Sequence, residues 1–184
     1  MIISVDMGLS NYGFTLWEKD KLLSVHLIQT KKEKNVTVSK DMIRRHKIIV
    51  FALCKVFNRC NITGLVGEMP GFGSQSCSAA VAMTMASTIT LTLCNAYKIP
   101  MLWHTPRTIK KYFTGNPNAS KKDMMKEACF RHNWKITQKR IKDSKKLIGY
   151  RHDSTYHVMG KKYSMGKFEH IADSIAAYYT AKNK

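Results

Sequence analysis

The first thirty residues alternate short apolar runs with polar turns, a pattern typical of an antiparallel meander. The first run, residues 2–5, is rich in β-branched side chains and is followed by Asp6 and a Gly/Ser/Asn turn. Two further runs of strand-forming residues, 12–17 and 22–28, are separated by four polar residues. The pattern predicts three strands, the first of them central, with Asp6 at its tip, where a carboxylate needs a neutralising partner.

The rest of the chain alternates helical and strand patterns. Apolar residues recur at intervals of three and four over residues 39–59, which predicts a helix that begins at Ser39 and exposes the basic residues Arg44 and Arg45. Short apolar runs at 63–68 and 101–103 predict two buried strands. Further helices are predicted at residues 76–97, 106–113, 120–133 and 168–181.

Residues 76–97 contain no charged side chain, and their number is sufficient for a transmembrane helix. Ser, Thr and Asn recur throughout this stretch, however, and they are too frequent for a helix that faces lipid. We therefore favour a buried helix with a small-residue face, packed on a sheet or across a dimer, over a membrane span.

Residues 135–167 differ from the rest in carrying many Lys and Arg side chains and only two carboxylates, Asp143 and Asp153. Their hydrophobic pattern has no clear period, so we expect a basic insertion that is mobile in the free protein. The predicted organisation is a single domain, residues 1–184, with this insertion at about 135–167.

The charge balance of the chain indicates a polyanionic partner. The 184 residues include 31 Lys and Arg against 12 Asp and Glu, a formal net charge of +19. Such a charge destabilises a compact monomer by self-repulsion, so nucleic acid is the preferred partner, ahead of a membrane surface or a merely solubilising role. Five cysteines without a CxxC pair, and no apparent secretory signal, indicate a reducing, cytoplasmic environment.

Three of the few carboxylates have apolar neighbours, and these form the candidate site. Asp6 and Glu68 end predicted strands, Asp173 lies within the last predicted helix, and His170 shares its face three residues earlier. Two carboxylates ~4 Å apart repel by about 4 kcal/mol at an effective dielectric of 20, so a shared Mg²⁺ or Mn²⁺ ion is expected. The alternative is that nearby lysines neutralise each carboxylate separately.

These residues resemble the RuvC-type Holliday junction resolvases of the RNase H-like superfamily. Asp6-x-Gly8 with Gly13, Glu68 after a short strand, and His170-x-x-Asp173 in the last helix carry the resemblance. It continues through the middle of the chain at Pro100, Trp103, Thr105-Pro106, Arg107, Lys110, Gly115, Ala119 and Lys121. Residues 135–167 fall outside it, because the family usually has a shorter connection there. The size, lysine content and divergence resemble a phage or viral member, which would act in the host cell cytoplasm.

The resemblance implies an α/β, RNase H-like fold whose mixed five-stranded sheet has an antiparallel meander followed by parallel strands, flanked by helices. It implies that Asp6, Glu68, His170 and Asp173 bind two Mg²⁺ ions per site, with Mn²⁺ as an alternative. A homodimer would then make paired nicks in a four-way or branched DNA junction, leaving 5′-phosphate ends. Glu169 is expected to point about 100° away from His170 and to be a poor ligand.

Lysines and one aromatic residue are the expected DNA contacts. The resemblance places Lys110 and Lys121 near the scissile phosphate, where they would also assist catalysis, and Phe72 near unpaired bases. The insertion would hold a duplex arm through phosphate contacts. The expected DNA-binding residues are Phe72, Lys110, Lys111, Lys121, Lys122, Lys145, Lys146, Lys161 and Lys162.

Two alternatives remain open at this point. One is a non-catalytic, basic nucleic-acid-binding protein on the same scaffold. The other is an RNase H-type nuclease that cuts RNA:DNA hybrids.

Overall fold

The protein has a main sheet with helices on both faces and a second, smaller sheet, seen in a computed structural model that describes residues 1–69, 76–142 and 150–183. The elements, in chain order, are β1 (Ile2–Asp6), β2 (Asn11–Glu18), β3 (Lys21–Gln29), α1 (Val38–Arg59), β4 (Gly64–Glu68), α2 (Cys77–Ala96), β5 (Met101–His104), α3 (Pro106–Thr114), α4 (Lys121–Arg131), β6 (Lys135–Lys142), β7 (Tyr150–Val158), β8 (Lys161–Ser164) and α5 (Met165–Lys182).

The main sheet has the strand order β3-β2-β1-β4-β5. Strands β1, β2 and β3 form the predicted antiparallel meander, and β4 and β5 add to β1 in parallel. The predicted α/β class and mixed five-stranded sheet are confirmed. The prediction of a buried strand at 101–103 is only partly right, because β5 is the sheet edge and Leu102 is 46% exposed.

Helices cover both faces of this sheet. Helices α1 and α2 contribute to one core cluster, with β1 residues Ile3 and Val5 at its centre, and α3, α4 and α5 contribute to the other. Most predicted helix boundaries are confirmed, including a capping box between Ser120 and Asp123 at the start of α4. The start of α1 was wrong: Thr37, not Ser39, caps it, because the Thr37 hydroxyl accepts the Lys40 backbone N–H.

Helix α2 packs on the sheet through one face only. Ala86, Ile89 and Thr90 are buried, and the Thr90 hydroxyl lies 2.6 Å from the hydroxyl of the buried Tyr12 on β2. The other face is exposed, so the predicted burial holds within this chain for only part of the helix. Helix α2 is long and apolar enough to cross a membrane. Core helices of water-soluble proteins meet the same criterion, so it does not by itself indicate a membrane span.

The basic insertion is folded, at least over residues 135–142 and 150–164, so the prediction of an irregular, mobile segment is wrong there. Strands β6, β7 and β8 form an antiparallel sheet. Met159 and Gly160, with φ of 46° and 79°, make the two-residue turn between β7 and β8. Tyr156 and Val158 are buried against the main core, where the Tyr156 ring stacks on Phe168 at 4.5 Å between centroids.

The missed signal is the alternation of Tyr156 and Val158 with polar neighbours, followed by a hairpin turn. The many charged residues in this stretch hid the two-residue period of its buried positions. The same sheet leads directly into α5, which therefore begins at Met165 rather than Phe168.

Helix α5 crosses the main sheet at very short range. Its buried face includes Ile171, Ala172, Ile175 and Ala176, each fully buried. At Gly13 on β2, a Cβ atom would meet the carbonyl oxygen of His170 and lie 2.8 Å from its carbonyl carbon. The sheet and the helix backbone thus touch where β2 has no side chain.

We expect Gly13→Ala to lower the free energy of unfolding by about 1–3 kcal/mol, the usual cost of overpacking a rigid contact. Urea unfolding followed by circular dichroism measures this change. Gly166→Ala is the matched control: a Cβ there meets no atom within 4 Å, and alanine favours the helix. Equal stability of Gly13→Ala and wild type would show that α5 can move away from β2 at no cost.

Candidate active site

The carboxyl ends of two parallel strands bring the first two acidic residues together. In the parallel pairing of β1 and β4, Val5 lies beside Gly67, so the next residues, Asp6 and Glu68, project from the same edge of the sheet. Their strands are apolar and buried, which fixes both backbones. On the neighbouring strand, Glu68 pairs with the buried His104.

Helix α5 adds the other two predicted residues to this edge. The His170 Nδ1 atom lies 2.6 Å from Asp6 Oδ2, a hydrogen bond that joins side chains 164 residues apart. Asp173, one turn later, is close enough to Asp6 and Glu68 for both to act on its ionisation. The structure thus brings together all four residues that the sequence predicted as ligands.

The cluster carries more negative charge than its surroundings neutralise. Burial, and then the charge of Asp6, raise the pKa of Glu68 to about 7, although Lys110 and Lys121 oppose the shift. Burial also raises the pKa of Asp173 well above its usual value, and the charges of Asp6 and Glu68 add to it. Such a site favours protonation or a bound cation.

Glu169 lies nearer to this cluster than its helical position predicted. Its Oε1 atom accepts a hydrogen bond from Lys121 Nζ at 3.1 Å and lies 3.7 Å from His170 Nε2. Burial by itself lowers the pKa of Lys121, but the hydrogen bond and charge of Glu169, with Asp173 and Asp6 beyond, raise it. Lys121 is therefore a fully charged group held beside the acidic residues.

The sequence also missed a buried arginine that supports the turn after Asp6. Arg45, predicted on the solvent face of α1, is 4% exposed and lies 3.7 Å from Asp41. Its guanidinium donates hydrogen bonds to Ser10 Oγ at 2.7 Å and Thr30 Oγ1 at 2.8 Å, and the Thr30 hydroxyl in turn donates to the Leu9 carbonyl. The only sign of this arrangement in the sequence was the four-residue spacing of Asp41 and Arg45, at which opposite charges on a helix can pair.

The donors fit a hard divalent cation in chemistry, though they do not surround one point. Among residues 1–69, 76–142 and 150–183, no three His, Cys, Asp or Glu side chains converge closely enough to hold one ion. Asp6 and His170 instead satisfy one another. The neighbouring carboxylates raise one another's pKa, so the cluster needs more positive charge beside it. A Mg²⁺ or Mn²⁺ ion bound through the carboxylate oxygens would provide that charge.

The predicted DNA-binding residues occupy three different places. Lys110 on α3 and Lys121 on α4 act electrostatically on Glu68. Lys111 and Lys122 are exposed on the same two helices, and Lys161 and Lys162 are exposed on β8. Phe72, Lys145 and Lys146 lie outside the described residues.

The raised pKa of Glu68 predicts a pH-dependent stability. Without divalent metal, the folded state holds the Glu68 proton more tightly than the unfolded chain, with pKa values of about 7 and 4.5. The stability from this group is complete below pH 4.5 and is lost as the pH rises through 7. Glu68→Gln should therefore gain stability relative to wild type between pH 5 and pH 8, by at most about 3 kcal/mol.

Urea unfolding in a chelating buffer at both pH values measures the difference. The exposed Glu18→Gln serves as the control and should follow wild type. Parallel pH profiles of Glu68→Gln and wild type would contradict the shift.

Comparison with known proteins shows what the chain is similar to in sequence and in fold. No protein-family model matches the chain. Over 128 residues it is 29% identical to the crossover junction endodeoxyribonuclease RuvC of Pseudothermotoga lettingae. The matched region covers 67% of this chain and 75% of that protein.

Solved structures share the fold at low sequence identity. Thermus thermophilus RuvC in complex with a Holliday junction substrate gives a TM-score of 0.64 at 15% identity, covering 97% of this chain and 90% of that one. The yeast mitochondrial Holliday junction resolvase Ydc2 gives 0.54 at 13% identity, covering 97% and 76%. The chain thus shows sequence homology to a RuvC-type Holliday junction resolvase and has the RuvC-like, RNase H-type fold.

Proposed function

We propose that this protein is a crossover junction endodeoxyribonuclease, which resolves four-way or branched DNA junctions by paired phosphodiester hydrolysis. The observation that carries the proposal is the acidic cluster of Asp6, Glu68 and Asp173, closed by His170, at one edge of the sheet. In a chain of net charge +19, an acidic cluster retained at this cost in repulsion has a functional explanation. The homology to RuvC supports the choice of substrate.

Asp6, Glu68, His170 and Asp173 would hold two Mg²⁺ ions, or Mn²⁺. When bound, these ions would polarise the scissile phosphodiester and lower the pKa of the attacking water. Metal binding requires deprotonated ligands, so Glu68 and Asp173 must lose protons that the metal-free site retains. His170 would bind as a neutral imidazole, which leaves the site one charge less negative than a fourth carboxylate would.

The chain's own cations would stabilise the transition state. Lys121 and Lys110 lie close enough to Glu68 to lower its pKa, so they also lie close to a phosphate bound there. Their positive charge would offset the charge that develops on the phosphoryl oxygens. Cleavage of the P–O3′ bond would leave a 5′-phosphate on one fragment and a 3′-hydroxyl on the other.

The remaining basic residues would bind the arms of the junction. Phosphate contacts from exposed lysines add affinity without reading sequence. We assign this role to Lys111, Lys122, Lys161 and Lys162, which are exposed, and to Phe72, Lys145 and Lys146 on the basis of the sequence alone. The five free cysteines support a reducing compartment, for which we propose the cytoplasm.

We also propose a homodimer in which α2 forms much of the interface, rather than a membrane contact. Its exposed face is uncharged and includes Val81 and Leu91, 50% and 45% exposed. A two-fold axis would place two active sites symmetrically across a four-way junction. Sedimentation equilibrium should therefore give twice the 21.1 kDa of one chain, and Leu91→Lys should give monomers. A wild-type monomer at micromolar concentration would contradict this assembly.

The decisive experiment is cleavage of a labelled mobile four-way junction, with Mg²⁺ and Mn²⁺ compared and the nicks mapped. Wild type should make symmetric paired nicks with 5′-phosphate ends. Asp6→Asn should lose cleavage while its binding affinity for the junction is retained, because the substitution removes a ligand and no phosphate contact. Cleavage by Asp6→Asn at the wild-type rate would show that the site is elsewhere.

Neighbouring lysines on α4 provide a matched pair for the same assay. In single-turnover reactions with the junction saturated by enzyme, Lys121→Gln should slow cleavage by about 10²–10³-fold, the usual cost of removing one group that stabilises transition-state charge. Lys122→Gln, which would weaken only binding, should cleave at the wild-type rate under these conditions. The two alternatives predict other results. An RNase H-type nuclease would cut an RNA:DNA hybrid faster than a junction, and a non-catalytic protein would bind junctions tightly and cut neither substrate.

A further inference from the structure

A second candidate site lies between the two sheets, away from the acidic cluster. Strand β3 is the edge of the main sheet and β8 is an edge of the small sheet, and a cleft of about 410 Å³ separates them. Consecutive residues of both strands line it, including Val25 to Gln29 of β3 and Lys161 to Tyr163 of β8. Helix α1 closes one side through Ala52, Lys55 and Val56.

The cleft is strongly basic. Lys55, Lys161, Lys162 and Lys167 come from three different elements and converge on it, and none of the described lining residues is Asp or Glu. None of these four ammonium groups forms an ion pair with a carboxylate of the described residues, although Lys55 Nζ lies 4.3 Å from the Phe51 ring centroid. Four cations held around one concave surface repel one another unless an anion lies between them.

The half-buried His26 responds to this unbalanced charge. Its ring stacks on Phe14 at 4.5 Å, and its Nε2 atom lies 2.9 Å from Ser24 Oγ. Burial lowers the pKa of His26, and the charge of Lys161 across the cleft lowers it further. The imidazole is therefore neutral at pH 7, and an anion in the cleft would reverse the effect of Lys161.

The position of Lys167 connects the cleft with the acidic cluster. It precedes His170 by three residues on α5, which corresponds to a rise of about 4.5 Å along the helix. A strand that passes the acidic cluster can thus continue past the first turn of α5 into the cleft.

We propose that this cleft binds the sugar–phosphate backbone of a nucleic acid strand that extends from the active site. Phosphates would contact the four lysines, and sugars would lie on the apolar floor formed by Val25, Ile28 and Val56. An acidic peptide paired with the two strand edges is the competing occupant. The nucleic acid fits better because Lys55 and Lys167 lie on helices, outside the reach of a strand-to-strand ladder. The proposal rests on the proposed function for the identity of its ligand.

The test is the salt dependence of junction binding in a chelating buffer, where no cleavage occurs. Each phosphate contact contributes about 0.9 to the slope of log Kd against log salt concentration for duplex DNA. Lys161→Gln/Lys162→Gln and Lys55→Gln/Lys167→Gln should each reduce the slope by up to about 1.8. Lys161→Arg/Lys162→Arg should retain the wild-type slope.

Lys19→Gln/Lys98→Gln is the matched control for the loss of two charges. Both lysines are exposed, and they lie at the end of the sheet opposite Asp6, after β2 and before β5. The slope of log Kd against log salt concentration should change in this control by less than half as much as in the cleft variants. Equal slopes for the control and the cleft variants would overturn the proposal, and thermal unfolding of each variant verifies that it is folded.

A second measurement follows the His26 ring by NMR titration. Junction binding should raise the pKa of the His26 ring, because the negative charge of a phosphate in the cleft opposes the effect of Lys161. His132, whose pKa is also lowered by burial but which packs among Trp17, Trp134 and Tyr179, should not shift. A rise with a poly-glutamate peptide and none with the junction would overturn the proposal in favour of a protein ligand. The salt slope and the His26 titration both measure binding and do not require cleavage. Failure of the cleft proposal can therefore be distinguished from failure of the proposed nuclease activity.

Discussion

Helix α5 can lie on the main sheet only because position 13 has no side chain. At that point the backbone of the helix meets the backbone of β2, and the next strand over ends in Asp6. A larger residue would lift the helix and carry His170 and Asp173 away from Asp6 and Glu68. The fully buried alanines of α5 serve the same purpose along the rest of the contact. Close backbone packing thus contributes directly to the geometry of the acidic cluster.

Charge is distributed unequally over this scaffold. The chain has a large excess of basic residues, while a few carboxylates are concentrated at one edge of the sheet, where they oppose one another's ionisation. Lys121 and Lys110 lie at the boundary between the two regions, and Glu169 holds Lys121 there. A polyanion would be attracted by the surface as a whole, yet repelled at the cluster until cations neutralise it. Binding and chemistry are therefore separable properties of this molecule.

The strands that carry Asp6 and Glu68 were predictable because each is a short apolar run that ends in a carboxylate. The pairing of residues 6 and 173 required the resemblance to a family, since no local pattern reports contacts across 167 residues. Arg45 and Glu169 were misplaced because helical periodicity gives a direction for the Cβ atom and not for the end of a long side chain. The small sheet was missed because charged residues masked its alternation. A phage or viral source stays a prediction.

The bond between His170 and Asp6 joins the first strand to α5, the last of the described elements. During synthesis on the ribosome, the chain cannot assemble its acidic cluster until residue 173 has emerged from the exit tunnel. Chains that stop earlier lack α5, whose buried residues form much of one core cluster, as well as two residues of the acidic cluster. Such chains would therefore lose the fold and the site together, rather than be partially active forms of the protein.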